Sequence, residues 1–180
     1  MIPSFKSITA FLVIFCLHMN LVGESDPHKF IDSQAQEMVS IIINNQKLFA
    51  EDPELFKDKI SMIFEPMVDF RRVGASVMGK KYYLASSKSQ RLEFIQAFKN
   101  SLLDTYTSTL AQWGDQRIVT VFPEVYEYKK TEDVQQNLIT ASNIYPITYK
   151  VRKNKRGDWL IINIIVNGVN LGLTIRNQFQ

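Results

Sequence analysis

The sequence predicts an α+β fold in which N-terminal helices pack on a mainly antiparallel C-terminal sheet. Two observations carry this. Up to Gly114 the apolar residues recur every three or four positions, the period of a helix with one buried face. Beyond Gly114 come short segments rich in β-branched and aromatic residues, separated by turn formers. Helices first and strands after argue for stacked layers and against alternating βαβ units. At 180 residues, 46% of them hydrophobic, the chain holds enough apolar material for one domain with a sizeable core.

The chain opens with Met1 to Phe5 and Lys6, then an apolar stretch from Ile8 to Leu17 that breaks up at His18 and Asn20 before Gly23. This is the layout of a secretory signal peptide, expected over residues 1–23, and the stretch falls short of the ~20 residues of a spanning helix. The one cysteine, Cys16, follows Phe15 inside the apolar run, which argues against lipoprotein processing. Cleavage after Gly23 leaves a single domain over 24–180, with a net charge of about +2, no cysteine and one histidine, His28.

Asp26-Pro27 reads as a helix start, the aspartate capping and the proline in the first turn, with Ile31, Ala35, Met38, Val39 and Ile42 as its buried stripe. Asp52-Pro53 repeats that signal before Phe56, Ile60, Ile63 and Phe64. Pro66 is expected to open a third helix, with Phe70, Val73 and Val77 on one face and Gly79 ending it. Ser87 and Gln90 match a capping box, followed by an apolar ridge of Ile95, Phe98, Leu102, Tyr106, Leu110 and Trp113 that Gly114 stops.

Strands are expected over Arg117–Phe122, Val125–Tyr128, Asn137–Ile144, Ile147–Arg152 and Trp159–Val166, with Pro123, Pro146 and Asn154 to Gly157 between them. Both faces of Trp159–Val166 are apolar, so both must be covered, by helices on one side and by the curl of the sheet, further helix or a ligand on the other. Asn167 to Asn170 makes a turn, and Asn170 is placed to cap a last helix through Arg176.

Several chemistries are excluded or unsupported. His28 stands alone in the first helix, where it reads as a solvated residue, so imidazole-dependent nucleophilic catalysis lacks its base. Metal sites built on His and Cys lack ligands, and no glycine-rich phosphate loop occurs among seven glycines. Interleaved charges of both signs give no nucleic-acid footprint. Glu65, Asp69, Glu93, Asp115 and Asp158 lie singly and read as surface, capping or turn residues. Twelve Phe, seven Tyr and two Trp are enough to fill an aromatic-rich core or to line a ligand cavity, and composition does not separate the two.

The order of motifs resembles the MlaC-type phospholipid-binding proteins, also called the toluene-tolerance family, periplasmic components of an ABC-transport system. The likeness runs through Asp52-Pro53, Pro66 and the Phe70 region. It is most specific at Val77-Met78-Gly79-Lys80-Lys81-Tyr82-Tyr83-Leu84-Ala85, followed by Gln90-Arg91, Phe94 and Phe98. Leu102, Leu103, Tyr106 and Leu110 continue it, as do Gly157-Asp158-Trp159, Gly168-Val169-Asn170, Arg176 and Gln178-Phe179. Asn170 stands where the family has Ser, an equally good cap. The family commonly continues with a further helical tail, whereas this chain ends at Gln180, so the resemblance implies a shortened tail.

What the resemblance implies is a curved sheet with an apolar cavity between it and the helices, taking up acyl tails with the head group near the surface. It implies a non-enzymatic periplasmic phospholipid carrier without cofactor or metal. Its expected partners are phospholipid, an outer-membrane lipoprotein complex and the substrate-binding ring of an inner-membrane ABC transporter. The expected lining is Phe70, Val73, Val77, Phe94, Phe98, Leu102, Tyr106, Val119, Ile139, Tyr149, Val151, Trp159, Ile161, Ile164, Val169 and Leu171. Two alternatives make different demands. A small enzyme needs two carboxylates converging in a hydrophobic pocket, and a periplasmic adaptor needs a filled core with an exposed apolar patch.

Overall fold

The structure is a computed structural model that describes residues 26–124 and 127–178. The expected signal peptide, Val125 and Tyr126 of the expected Val125–Tyr128 strand, and Phe179 lie outside the described residues.

Local chemistry sets most helix starts. In α1 (Pro27–Asn44), Asp26 accepts the amide protons of His28 and Lys29 at 2.8 and 3.3 Å, and Pro27 occupies the first turn. The helix breaks at Asn45, whose side-chain amide donates to the Ile41 carbonyl at 2.7 Å, and a short α2 (Gln46–Glu51), not foreseen from the sequence, follows. Asp52 starts α3 (Pro53–Met67) by accepting the Leu55 amide at 3.0 Å. Pro66 opens no helix; it lies inside the last turn of α3. The break comes at Val68, which bridges to Ile161, while the Asp69 amide donates to the Ile161 carbonyl at 2.9 Å. The Asp69 carboxylate then caps α4 (Phe70–Ala85) through the Arg72 amide at 3.0 Å.

Gly79 does not end α4 but kinks it. Its φ of 71° and ψ of 163° fall where only glycine is comfortable, and helix resumes as far as Ala85. Gly79→Ala is therefore expected to lower stability by about 1 to 3 kcal/mol, seen as a reduced urea midpoint at unchanged slope. The capping box of α5 (Lys88–Leu110) is present, Ser87 Oγ accepting from the Gln90 amide at 3.2 Å and Gln90 Oε1 from the Ser87 amide at 2.8 Å. This helix ends at Leu110, in a turn through Ala111 and Gln112, short of Gly114. It approaches α4 closely at Gly74, where a Cβ would stand 2.7 Å from Ile95 Cγ1.

Strands β1 (Arg117–Val121), β2 (Thr131–Ile139), β3 (Ile144–Lys153), β4 (Trp159–Val166) and β5 (Val169–Asn170) form an antiparallel sheet in that order, and α6 (Leu171–Gln178) follows. The expected strand Asn137–Ile144 straddles a hairpin turn. There Thr140 Oγ1 accepts the amide protons of Ser142 and Asn143, so residues 137–139 belong to β2 and Ile144 to β3. Residues 127–128 are not strand. Pro146 separates nothing; it lies within β3 beyond the last pair with β4, Ile147 with Val166, so its missing amide proton breaks no ladder bond.

A bulge in β4 explains part of its two-faced greasiness. Val151 pairs with Ile161 and Lys150 with Asn163, leaving Ile162 unopposed. The shift turns both Ile161 and Ile164 to the side of Val151, Tyr149 and Val134, where the helices pack. One core cluster joins Ile31, Ile63, Met67 and Val68 to Val134, Val151, Trp159 and Ile161; a second, all helical, holds Ile42, Phe56, Ile60 and Leu103.

Polar groups are also buried. Gln136 is fully buried and donates to Thr120 Oγ1 at 2.8 Å, and that hydroxyl donates to Asp32 at 2.7 Å, tying α1 to β1 and β2. His28 is not solvated: it is 7% exposed, its ring 5.7 Å from that of Tyr128 and 6.4 Å from that of Phe122. Its position two residues after the cap tucks it beneath the segment that follows β1.

Candidate functional site

The four-residue step of Phe94, Phe98, Leu102 and Tyr106 sets one ridge along α5. The rings of Phe94 and Phe98 stack with planes 2° apart and centroids 6.2 Å apart. Facing it is α6, held in place by three local features. Asn167 and Gly168, with φ of 48° and 80°, make the tight turn that pairs β5 with β4. Asn170 Oδ1 accepts the Leu173 amide at 3.0 Å and caps the helix as the sequence indicates. Gly172 lets α6 rest on β4, because a Cβ there would stand 2.7 Å from Asn163 Oδ1.

Between α5 and α6 lies a groove of about 430 Å³, within the size range of small-molecule sites. Phe94, Ala97, Phe98, Ser101, Leu102, Thr105 and Tyr106 line it from α5, and Leu171, Thr174, Ile175 and Gln178 from α6. No strand residue lines it, whereas the sequence placed the hollow between helices and sheet. The helix-facing side of the sheet is instead filled by Trp159, Val151 and Ile161.

Five of the expected lining residues therefore meet in the groove: Phe94, Phe98, Leu102, Tyr106 and Leu171. Val73 and Val77 border a second cavity beside β4. Val151, Trp159 and Ile161 are buried in the core, with Phe70, Tyr149 and Ile164 packed against them. Enclosure in protein pushes the Tyr149 phenol upward from its ordinary pKa. Val119 and Ile139 are placed by register on the opposite face from Val134 and Gln136, and Val169 is half exposed in β5. The structure brings none of these three to the groove. Sequence reasoning missed the α6 wall beyond Leu171. Its signal is the spacing of Leu171, Thr174, Ile175 and Gln178, which two polar side chains hide.

The groove lining contains hydroxyls and one amide but no carboxylate, cation or imidazole. The carboxylates flagged in the sequence lie elsewhere. Glu65 accepts from Ser61 at 2.5 Å and pairs with Lys99 at 2.9 Å, which holds its carboxyl below the usual range. Asp69 caps α4, Glu93 accepts from Ser89 Oγ, and Asp158 accepts from Asn154 and Arg156 in a turn. No group of three or more metal-ligating side chains occurs among the described residues. Such a lining can hold an apolar ligand by burial, and it offers no acid–base pair.

The family model for MlaC protein matches residues 32–180. The chain is 31% identical over 160 residues to the toluene tolerance protein ttg2D of Pseudomonas putida, covering 88% of this chain and 73% of that one. It is 27% identical over 177 residues to the intermembrane phospholipid transport system binding protein MlaC of Haemophilus influenzae, covering 96% of this chain and 82% of the relative. Among solved structures it is similar to a phospholipid-binding protein from Ralstonia solanacearum in complex with a phospholipid. The TM-score is 0.77 at 20% identity, with 86% of this chain and 85% of that one covered, a likeness that establishes the fold.

Proposed function

The chain belongs to the MlaC family, and from that premise we propose that it is a phospholipid carrier, holding acyl tails in the groove between α5 and α6. The observation that carries this reading is the groove itself, about 430 Å³ of space whose wall is mainly Phe, Leu, Ile and Ala with uncharged hydroxyl and amide side chains among them, and without an ionisable group other than the Tyr106 phenol. Each methylene taken out of water is worth about 0.8 kcal/mol, so two tails of roughly fifteen carbons represent on the order of 20 to 25 kcal/mol against bare exposure. Crossing an aqueous gap alone is therefore far too slow. A protein wall of aliphatic and aromatic side chains offers tails surroundings close to those of a bilayer and makes exchange near-neutral. Small differences in partner affinity then direct hand-over.

The same reading places the mature chain in the periplasm after removal of residues 1–23, with binding, not catalysis, as its activity. Its docking partners are an outer-membrane lipoprotein complex and the substrate-binding ring of an inner-membrane ABC transporter. The relatives' names, toluene tolerance and intermembrane phospholipid transport, support this assignment. A catalytic alternative needs paired carboxylates at the site, and the groove has none.

The test is direct. The mature protein is purified, extracted with organic solvent and analysed by mass spectrometry, and phospholipid is expected at about one molecule or more per chain. Delipidated protein is then expected to take phospholipid from vesicles. Failure of both would overturn the carrier reading.

A further inference from the structure

Along the other flank of α6 lies a second cavity, of about 350 Å³, whose lining mixes apolar side chains, Val73, Val77, Ile162 and Leu173, with cationic ones that the groove lacks. Arg72 and Ser76 of α4, Lys150 of β3, Asn163 of β4 and Arg176 of α6 supply its polar wall, and no carboxylate lines it. Two of the three cations have acidic partners outside the lining. Lys150 Nζ is 2.6 Å from Asp133, whereas Arg72 Nε is 3.5 Å from Asp69, a long contact that leaves most of its fork unengaged. Arg176, in the last turn of α6 and half-buried, has no acidic partner among the described residues. A half-buried guanidinium beside two further cations, with amide and hydroxyl groups around it, favours an oxyanion that accepts from its fork.

Placement gives the cavity its meaning. Leu171, Thr174 and Ile175 turn to the greasy groove, while Gly172, Leu173 and Arg176 turn to the cationic cavity. Residues lining the two spaces interleave along the chain from Asn170 to Arg176, Asn170, Gly172, Leu173 and Arg176 belonging to one and Leu171, Thr174 and Ile175 to the other. An amphiphile whose tails fill the groove thus has a space bearing three cationic side chains on the other flank of an 8-residue helix.

We propose that the cavity bounded by Arg72, Lys150 and Arg176 is an oxyanion site that takes the phosphodiester of the lipid whose tails lie between α5 and α6. The inference rests on the carrier reading. Because the phosphodiester is common to all glycerophospholipids, the site selects phospholipid over uncharged lipids with the same tails and is indifferent to the head-group alcohol. A free phosphate presents similar chemistry, so the experiment separates the two sources.

Delipidated wild type, Arg176→Gln and Arg176→Lys are given vesicles containing either phosphatidylglycerol or diacylglycerol with identical tails, and inorganic phosphate is titrated by calorimetry in parallel. Wild type is expected to take phosphatidylglycerol at least about tenfold in preference to diacylglycerol. Arg176→Gln is expected to cut that ratio about fivefold or more through phosphatidylglycerol alone, with Arg176→Lys, which keeps charge but loses the fork, in between. An unchanged ratio in correctly folded Arg176→Gln overturns the head-group assignment. If phosphate binding is lost in Arg176→Gln while the lipid ratio holds, the cavity belongs to a free anion and the proposal fails. If wild type takes up neither lipid, the carrier reading falls instead, and the phosphate titration alone decides whether the cavity is an oxyanion site.

Discussion

Replacing Leu102 by aspartate is expected to empty the protein of phospholipid while leaving it folded. Leu102 lines the groove and is only half-buried, whereas its neighbour Leu103 points into the helical core at 7% exposure. A carboxylate at 102 can reach water when the groove is empty, so the apo protein tolerates it. Once tails enter, the charge must either lose its water or hold the tails away. Displacing about four methylenes at ~0.8 kcal/mol each costs roughly 3 kcal/mol, on the order of a hundredfold in affinity. The measurement is lipid phosphorus per chain after purification, with circular dichroism confirming the fold. Leu103→Asp serves as the contrast and is expected to unfold the domain, because it buries a charge among Ile42, Phe56 and Ile60. Wild-type lipid content in Leu102→Asp would remove the α5–α6 groove as the tail site.

Trp159→Ala is expected to lower stability by about 3 to 5 kcal/mol, out of the roughly 5 to 15 kcal/mol that holds a domain of this kind together. Trp159 is 2% exposed and sits where Ile31, Ile63 and Met67 of the helices meet Val151 and Ile161 of the sheet. Tyr128 meets its ring edge-on at 6.4 Å, and the Lys153 ammonium lies 5.0 Å from its centroid. Urea unfolding of delipidated protein is the decisive format. Trp159 was expected from the sequence to line the ligand cavity, and a lining residue would affect lipid uptake while leaving the empty protein's stability nearly intact. The packing predicts the reverse order of effects, so near-wild-type stability of the delipidated variant would show that the space around Trp159 opens to ligand.

These two residues show how far the sequence can be read. The caps at Asp26, Asp52, Ser87 and Asn170 and the span of β4 were legible because each depends on groups a few residues apart. The α5 half of the groove was legible for the same reason, through the four-residue step from Phe94 to Tyr106. Its α6 half was not, since Thr174 and Gln178 read as surface until a second helix is seen beside them. Pro66 and Gly79 misled for a related reason. Both carry strong local signals for ending a helix, yet the break at Val68 is set by pairing with Ile161, and Gly79 serves as a kink.

By itself the sequence determined the class of the fold, with helices first and strands after, the family, and a surplus of apolar side chains able to surround lipid. The fold class follows from periodicity and capping, which act over a few neighbouring residues, whereas the family follows from a resemblance in the order of motifs along the chain. Only the tertiary structure decided which apolar side chains are spent on each other and which are left facing a space. Trp159 and Leu102 are equally greasy, but one is enclosed by helices and sheet while the other meets an 8-residue helix that stands off from it. Burial is a property of what surrounds a side chain, and nothing within a few residues of either one specifies it.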